Sequence, residues 1–312
     1  MPAQKTIMIE LNILNETDPL EAVVLGTAKS TGPMPHLEDA YDPKSKHFIS
    51  SGGYPKEEDM VAEMESFAAI LERYGVKVFR PEILKDVNQI FARDISFVIG
   101  DRFVVPNILK KREAEISAIQ YIVDQVDATK VLHMPEGARA EGGDVMPWNG
   151  NIFVGYSKRP DFLKYVVSRT NEQGVEFLMV NFPDWKVSAF ELVKSDTDPM
   201  YNALHLDCCF QPIGKDQAII FPGGFKNQDD VEFLISFFGK ENVIEISREE
   251  MYYMNSNVFS ISPDVIVSES KFDRVNGLLR DRGFTVEETP YSQVAKQEGL
   301  LRCSTMPLRR KS

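Results

Sequence analysis

Cysteine and histidine are scarce in this chain of 312 residues, with three of the first and four of the second. Two of the cysteines, Cys208 and Cys209, are adjacent, so they offer no disulfide framework for a protein of this size. No apolar run approaches the roughly 18 uncharged residues that a membrane-spanning helix requires. The opening Met1-Pro2-Ala3-Gln4-Lys5 lacks the basic and apolar regions of a secretory signal. A cytoplasmic location, away from membranes, is therefore expected. Positive charge is in deficit: 35 Lys and Arg face 47 Asp and Glu, a net charge of −12. Binding to nucleic acid needs basic side chains to neutralise phosphates, so no nucleic-acid partner is expected. A cationic small molecule suits the field better. No Gly/Ser-rich or Pro-rich linker divides the chain, and a single domain over 1–312 is expected although the length allows two.

What the chain does contain is a repeat. Five short β-branched or aromatic segments, at 21–26, 101–106, 151–156, 218–222 and 264–268, read as strands bounded by Gly, Pro, Asn or Asp. Helical patterns follow at 58–74, 111–125, 161–173, 228–239 and 270–280. Each leads to another strand, at 76–79, 131–135, 175–180, 243–246 and 284–287. Between these units lies a third kind of segment, beginning near 91, 141, 203, 254 and 301 and also read as strand. The last has no following unit, so it is expected to pair with the first strand near Glu21 and close a ring. The fold class that follows is α/β: repeated strand–helix–strand units around a pseudo-five-fold axis, a five-bladed α/β propeller whose radial repetition protects sheet edges. The one long irregular stretch, 27–57, is expected to be a lid over that axis.

The reactive residue types concentrate in the third, axial kind of segment: Asp94, Glu141, His205, Asp207 and Cys303. A carboxylate among apolar neighbours is costly unless paired or hydrated. Several of them converging on one axis suggest a site for a cation. On a strand, His205 and Asp207 would face one side while Leu204 and Leu206 face the other. His36 and His47 fall in a polar loop and His133 on a peripheral strand, so none of the three is a candidate. A zinc site from His205, Cys208, Cys209 and Cys303 is not expected, because adjacent strand cysteines point to opposite faces.

The segment Phe91-Ala92-Arg93-Asp94, the turn Glu141-Gly142-Gly143-Asp144, the triplet His205-Leu206-Asp207 and the run from Arg302-Cys303-Ser304 to Leu308 resemble, in order and spacing, the motifs of the guanidino-group-modifying enzymes. That superfamily includes arginine deiminase, dimethylargininase and the amidinotransferases, all on the pentein fold. The resemblance runs from about Asp18 to Arg310. It implies Cys303 as nucleophile, His205 as general acid and base, and Glu141 as the group that orients His205. It also implies Asp94 and Asp207 as the pair gripping a guanidinium, and Arg159 as the arginine holding the substrate's α-carboxylate. Neither a metal nor an organic cofactor is implied.

Those roles suit the chemistry. Two carboxylates fix the plane of a guanidinium fork, and a thiolate is a strong nucleophile toward its unreactive carbon. Carboxylates near Cys303 should oppose thiolate formation in the free protein, so the thiolate is expected mainly in the complex. The sequence is mixed on the second nucleophile. Glu141 and the run from Cys303 to Leu308 resemble arginine deiminase, whereas 18–28 and 52–56 resemble the amidinotransferases. A hydrolase giving a ureido product such as citrulline is the favoured reading. An amidinotransferase is the alternative, and a non-catalytic binding protein on the same fold is the third reading. The substrate is expected to be a small guanidino compound, and association into a homo-oligomer is left open.

Overall fold

The computed structural model describes residues 8–311, so the leader reading on residues 1–5 falls outside the described residues. Five separate sheets of three strands are present, and none closes on itself. The first is centred on β1 (Leu20–Leu25), which pairs in parallel with β2 (Lys77–Phe79). The next two are β3 (Phe97–Ile99), β4 (Arg102–Val105) and β5 (Val131–His133), then β6 (Val145–Trp148), β7 (Asn151–Tyr156) and β8 (Lys186–Glu191). The last two are β9 (Phe210–Ile213), β10 (Gln217–Ile220) and β11 (Val243–Glu245), then β12 (Phe259–Ser262), β13 (Val265–Glu269) and β14 (Thr285–Thr289). In each of these four, the first strand runs antiparallel to the second and the second parallel to the third. The first sheet obtains its missing antiparallel strand from the far end of the chain. β15 (Thr305–Arg310) pairs with β1, Thr305 opposite Leu25 and Arg310 opposite Leu20, as the sequence led us to expect.

The axial segments are not strands throughout. Each opens with one helical turn closed by an N–H bonding back three residues, and only then extends. The turns are Asp94 to Phe91 (3.3 Å), Asp144 to Glu141 (3.0 Å), Cys208 to His205 (3.1 Å), Asn257 to Met254 (2.9 Å) and Thr305 to Arg302 (3.0 Å). A helical turn sends neighbouring side chains in diverging directions instead of alternating them across a sheet. The two-apart argument for His205 and Asp207 therefore does not apply, although both side chains are buried.

Four further readings are corrected. Residues 175–180 are not a strand but part of the helix Glu172–Asn181, capped by Asn171, whose Oδ1 accepts from Gly174 N at 2.9 Å. Val175 and Leu178 are buried while Glu176, Met179 and Val180 are exposed, a helical period that a short apolar run conceals. The helix expected at 161–173 is only Arg159–Lys164, and 111–125 is broken into Lys110–Arg112, Ala114–Ser117 and Gln120–Val123. The stretch 27–57 is not wholly irregular, since it contains the helix Pro43–Ser50, capped by Asp42.

Apolar layers fill the space between sheets and helices. The helix Glu57–Arg73 buries Met60, Met64, Phe67 and Leu71 on one face and ends at Tyr74, followed by Gly75 at φ +78°. Val24, Phe103, Ile119, Ile122 and Leu308 form one cluster joining both ends of the chain. Leu308→Ala is expected to cost about 2–5 kcal/mol, as buried Leu→Ala changes do. Urea unfolding followed by circular dichroism checks this; a midpoint unmoved from the parent's would mean that the junction of the termini adds nothing.

Candidate active site

The five helical turns supply the side chains of one buried cluster. Glu141 Oε2 lies 2.9 Å from His205 Nε2, and His205 Nδ1 lies 3.6 Å from Asp94 Oδ1. Asp207 Oδ2 lies 3.5 Å from the Cys303 sulfur. All five residues are buried. The structure therefore brings together five of the six residues singled out in the sequence. Arg159 is not among them: it is exposed at the start of a short helix, and its backbone N–H donates to Glu172 Oε2 at 3.1 Å.

Gly143 explains why the second turn is built of glycines. A Cβ there would sit 2.6 Å from His205 Nδ1 and 3.0 Å from Asp94 Oδ1, so the imidazole occupies the space of a side chain. His205 Nδ1 and Asp94 Oδ1 are both buried without a hydrogen-bond partner. Buried polar atoms are ordinarily paired, and an unpaired donor and acceptor facing each other mark a place of function.

Four arginines and an asparagine that the sequence reading left unassigned complete the cluster. Arg112 Nη1 donates to Asp94 Oδ2 at 2.6 Å, while its Nε and Nη2 donate to Glu115 at 2.7 and 2.9 Å. Arg169 Nη1 donates to Glu141 Oε2 at 3.2 Å, and its Nη2 donates to the Tyr41 carbonyl at 3.2 Å, tying the 27–57 stretch to the cluster. Arg302 Nη1 donates to Asp207 Oδ2 at 2.9 Å, and its other two nitrogens grip Glu16 at 3.1 and 3.0 Å. Arg93 Nε donates to the Arg302 carbonyl at 3.4 Å. Asn257 reaches Cys303, as described below. One signal could have found the arginines: several buried carboxylates demand counter-charges.

The charges set the protonation states. Burial opposes a charged imidazole at 205, but Asp94, Asp144 and Glu141 prevail and raise its pKa to about 9. Burial would also raise Glu141, yet Arg169, the His205 hydrogen bond and Arg112 hold its carboxyl well below the usual range. Burial, then Asp207 and Asp94, push the Cys303 thiol well above its ordinary value. At neutral pH the resting pair is an imidazolium and a thiol.

Asp94, Glu141 and His205 each bring one potential ligand atom within 4.8 Å of the others. The donor set does not suit a metal ion. Arg112 and Arg169 already stand as its counter-charges, and Glu141 is spent on the imidazole. A cavity of about 820 Å³ lies beside the 27–57 stretch, lined by Tyr41, Asp42, Tyr54, Phe91 and Glu115. Neither this cavity nor a larger one of about 1010 Å³, near Glu245 and Arg274, is lined by any of the five clustered residues. No helix among the described residues is long and apolar enough to cross a membrane.

Because folding raises the His205 pKa above its ordinary value of about 6.5, the stability it contributes is complete below pH 6.5 and lost as pH rises through about 9. Glu141→Gln removes one anion and should bring the His205 titration down from about 9 toward 6.5, followed by NMR of the imidazole. A midpoint still near 9 would show that Asp94 and Asp144 suffice.

Comparison with known proteins shows the family. The family model described as N,N dimethylarginine dimethylhydrolase, eukaryotic, matches residues 46–310. The Bacillus subtilis protein YkgA is 28% identical over 223 residues, 70% of this chain and 69% of that protein. The arginine deiminase of Oenococcus oeni is 23% identical over 289 residues, 80% of this chain and 67% of the relative. Among solved structures, an amidinotransferase of saxitoxin biosynthesis from Microseira wollei superimposes with TM-score 0.74 at 20% identity, covering 97% of this chain and 98% of that one. The N-terminal domain of a cyanobacterial arginine dihydrolase superimposes with TM-score 0.76 at 17% identity, covering 94% and 98%. These likenesses place the chain in the guanidino-modifying pentein superfamily.

Proposed function

We propose, from the premise that the chain belongs to the N,N dimethylarginine dimethylhydrolase family, that it is a hydrolase acting on arginine or a related guanidino compound through a covalent intermediate on Cys303. The five sheets are taken as five blades about one axis in a single domain, with 27–57 as the cover of its mouth. The observation that carries the reading is the pair of buried unpartnered atoms, Asp94 Oδ1 and His205 Nδ1, in one cluster with the Cys303–Asp207 contact.

A planar guanidinium is held by carboxylates, and Asp94 and Asp207 already hold guanidinium groups of the chain itself. Substrate charge offsets the anions that oppose thiolate, so the thiol proton is lost to solvent in the complex. The sulfur then bonds to the guanidino carbon, giving a tetrahedral adduct. His205 gives its proton to the departing nitrogen as the C–N bond breaks, leaving a thiouronium. Neutral His205, oriented by Glu141, takes a proton from water as water adds to that carbon. The C–S bond breaks with its electron pair going to sulfur, the new hydroxyl's proton passes to that sulfur as the C=O forms, and a ureido product leaves. The same intermediate met by an amine would make the enzyme an amidinotransferase, the alternative reading. Glu141 and the family membership favour water.

Purified protein incubated with arginine and with methylated arginines, with and without glycine, separates the readings by product mass. A ureido product supports the hydrolase, and an amidino group on glycine supports the transferase. Cys303→Ser should lower turnover at least about 1000-fold. No turnover in any mixture, together with a Cys303 inert to a haloamidine, would leave a binding protein. With thiolate and imidazolium both required, kcat/KM should rise with pH through a midpoint near 9, the His205 value. A rise centred near 6.5 would mean that the surrounding anions do not raise the His205 pKa in the free enzyme.

A further inference from the structure

The fourth of the five helical turns, Met254 to Asn257, brings no ionisable group to the cluster, yet its Asn257 is fully buried against the sulfur. Asn257 Nδ2 lies 3.2 Å from Cys303 Sγ, and Asn257 Oδ1 accepts the Cys303 backbone N–H at 3.2 Å. Nδ2 also donates to the Asp207 carbonyl at 3.2 Å. These contacts fix which way the amide points. A backbone N–H can only donate and a carbonyl can only accept, so the NH₂ end must face the sulfur.

We propose that Asn257 is a further catalytic residue: its amide N–H is the side-chain donor that stabilises the Cys303 thiolate, while its carbonyl fixes the sulfur's backbone. The inference rests on the reading of Cys303 as nucleophile. The groups that face this sulfur otherwise work largely against a negative charge. Asp207 at 3.5 Å and Asp94 are anions, and Cys208 and Tyr291 would repel as anions. On the favourable side stand the Leu300 backbone N–H and the Arg302 charge, the latter already divided between Glu16 and Asp207. A thiol can donate its one hydrogen to Asp207 and has no need of the amide. Once that hydrogen has left, the sulfur is an acceptor only, and the Asn257 contact becomes a charge-assisted hydrogen bond, roughly twice as strong as a neutral one. The donor is therefore worth more after ionisation than before it, which is the condition for lowering the energy of the reactive state.

The test needs no substrate. Alkylation of Cys303 by iodoacetamide, assigned by peptide mass, is followed against pH in the parent protein and in Asn257→Asp, which keeps the oxygen that accepts the Cys303 N–H and replaces the donor by an anion. The variant is expected to alkylate about 10- to 100-fold more slowly at a given pH and to show a higher thiol midpoint, through loss of one hydrogen bond to a charged group together with repulsion by the new carboxylate. A folded variant with the parent's rate and midpoint overturns the proposal. Should the variant not fold, the parent still decides: the Asn257 side-chain amide NMR signal should shift through the same midpoint as the thiolate, and an unmoved signal overturns the idea. If Cys303→Ser retains turnover while Asn257→Asp still moves the thiol midpoint, the reading of the reaction has failed and the contact has not.

Discussion

The buried Arg302 guanidinium is the interaction around which the structure is organised. Its three nitrogens reach Glu16 from the N-terminal segment and Asp207 from the third turn, and also the Gly143 and Val145 carbonyls at 3.3 and 3.0 Å from the second. The residue next in sequence is Cys303. Removing one member of such a pair leaves a charge stranded in low dielectric, at a cost of about 3–5 kcal/mol. Glu16 responds to its two cationic neighbours: burial would raise its carboxyl, but Arg302 and Arg93 bring it down to about 2. One side chain thus fixes the position of the sulfur relative to the segments that carry the imidazole and the carboxylates.

Arginine of the chain's own making also explains how the centre tolerates its acidity. Asp94, Glu141, Asp207 and Glu16 each face a guanidinium, from Arg112, Arg169 and, for the last two, Arg302. The planar fork makes two or more directed bonds at once, which a lysine ammonium does less well. The net charge of −12 is therefore not expressed at the centre, where acids and bases nearly balance. A cationic ligand is favoured less by the overall charge than by the unpartnered Asp94 Oδ1 at the centre.

Much of the architecture was legible because the period of the repeat is written in short β-branched segments. The strand read at 151–156 is the observed Asn151–Tyr156, and the pairing of the last segment with the first followed from counting units. The second strand of the third unit was misplaced because Val175 to Val180 is an unbroken run of mostly apolar residues, where helix and strand cannot be told apart without knowing which side is buried. The axial turns were misread for a related reason. Their hydrogen bonds span three residues, too short a stretch to set a period. In the cluster, Asp94, Glu141, His205, Asp207 and Cys303 stood out as reactive types in ordered motifs. Arg112 and Arg169 did not, because they lie 18 and 28 residues from their carboxylate partners, in stretches read as helices away from the axial segments. Arg159 came from the resemblance alone, and a matching place in the order of motifs does not bury a side chain.

Under the proposed chemistry, the resting state of the centre is the wrong one for attack, and the charges around it give the reason. Cys303 is held as a thiol by burial and by Asp207 and Asp94, while His205 is held charged chiefly by Asp94. A nucleophile with a permanently low pKa would be a weaker one and open to oxidation. A thiol kept protonated by nearby anions is instead protected until a cation enters among them. The incoming positive charge weakens the field that opposes thiolate without displacing the imidazolium, since Glu141 stays bonded to it. Under the proposed chemistry, substrate binding and nucleophile activation are then one electrostatic event, and selectivity for positively charged planar ligands follows from the same carboxylates that keep the free enzyme inert.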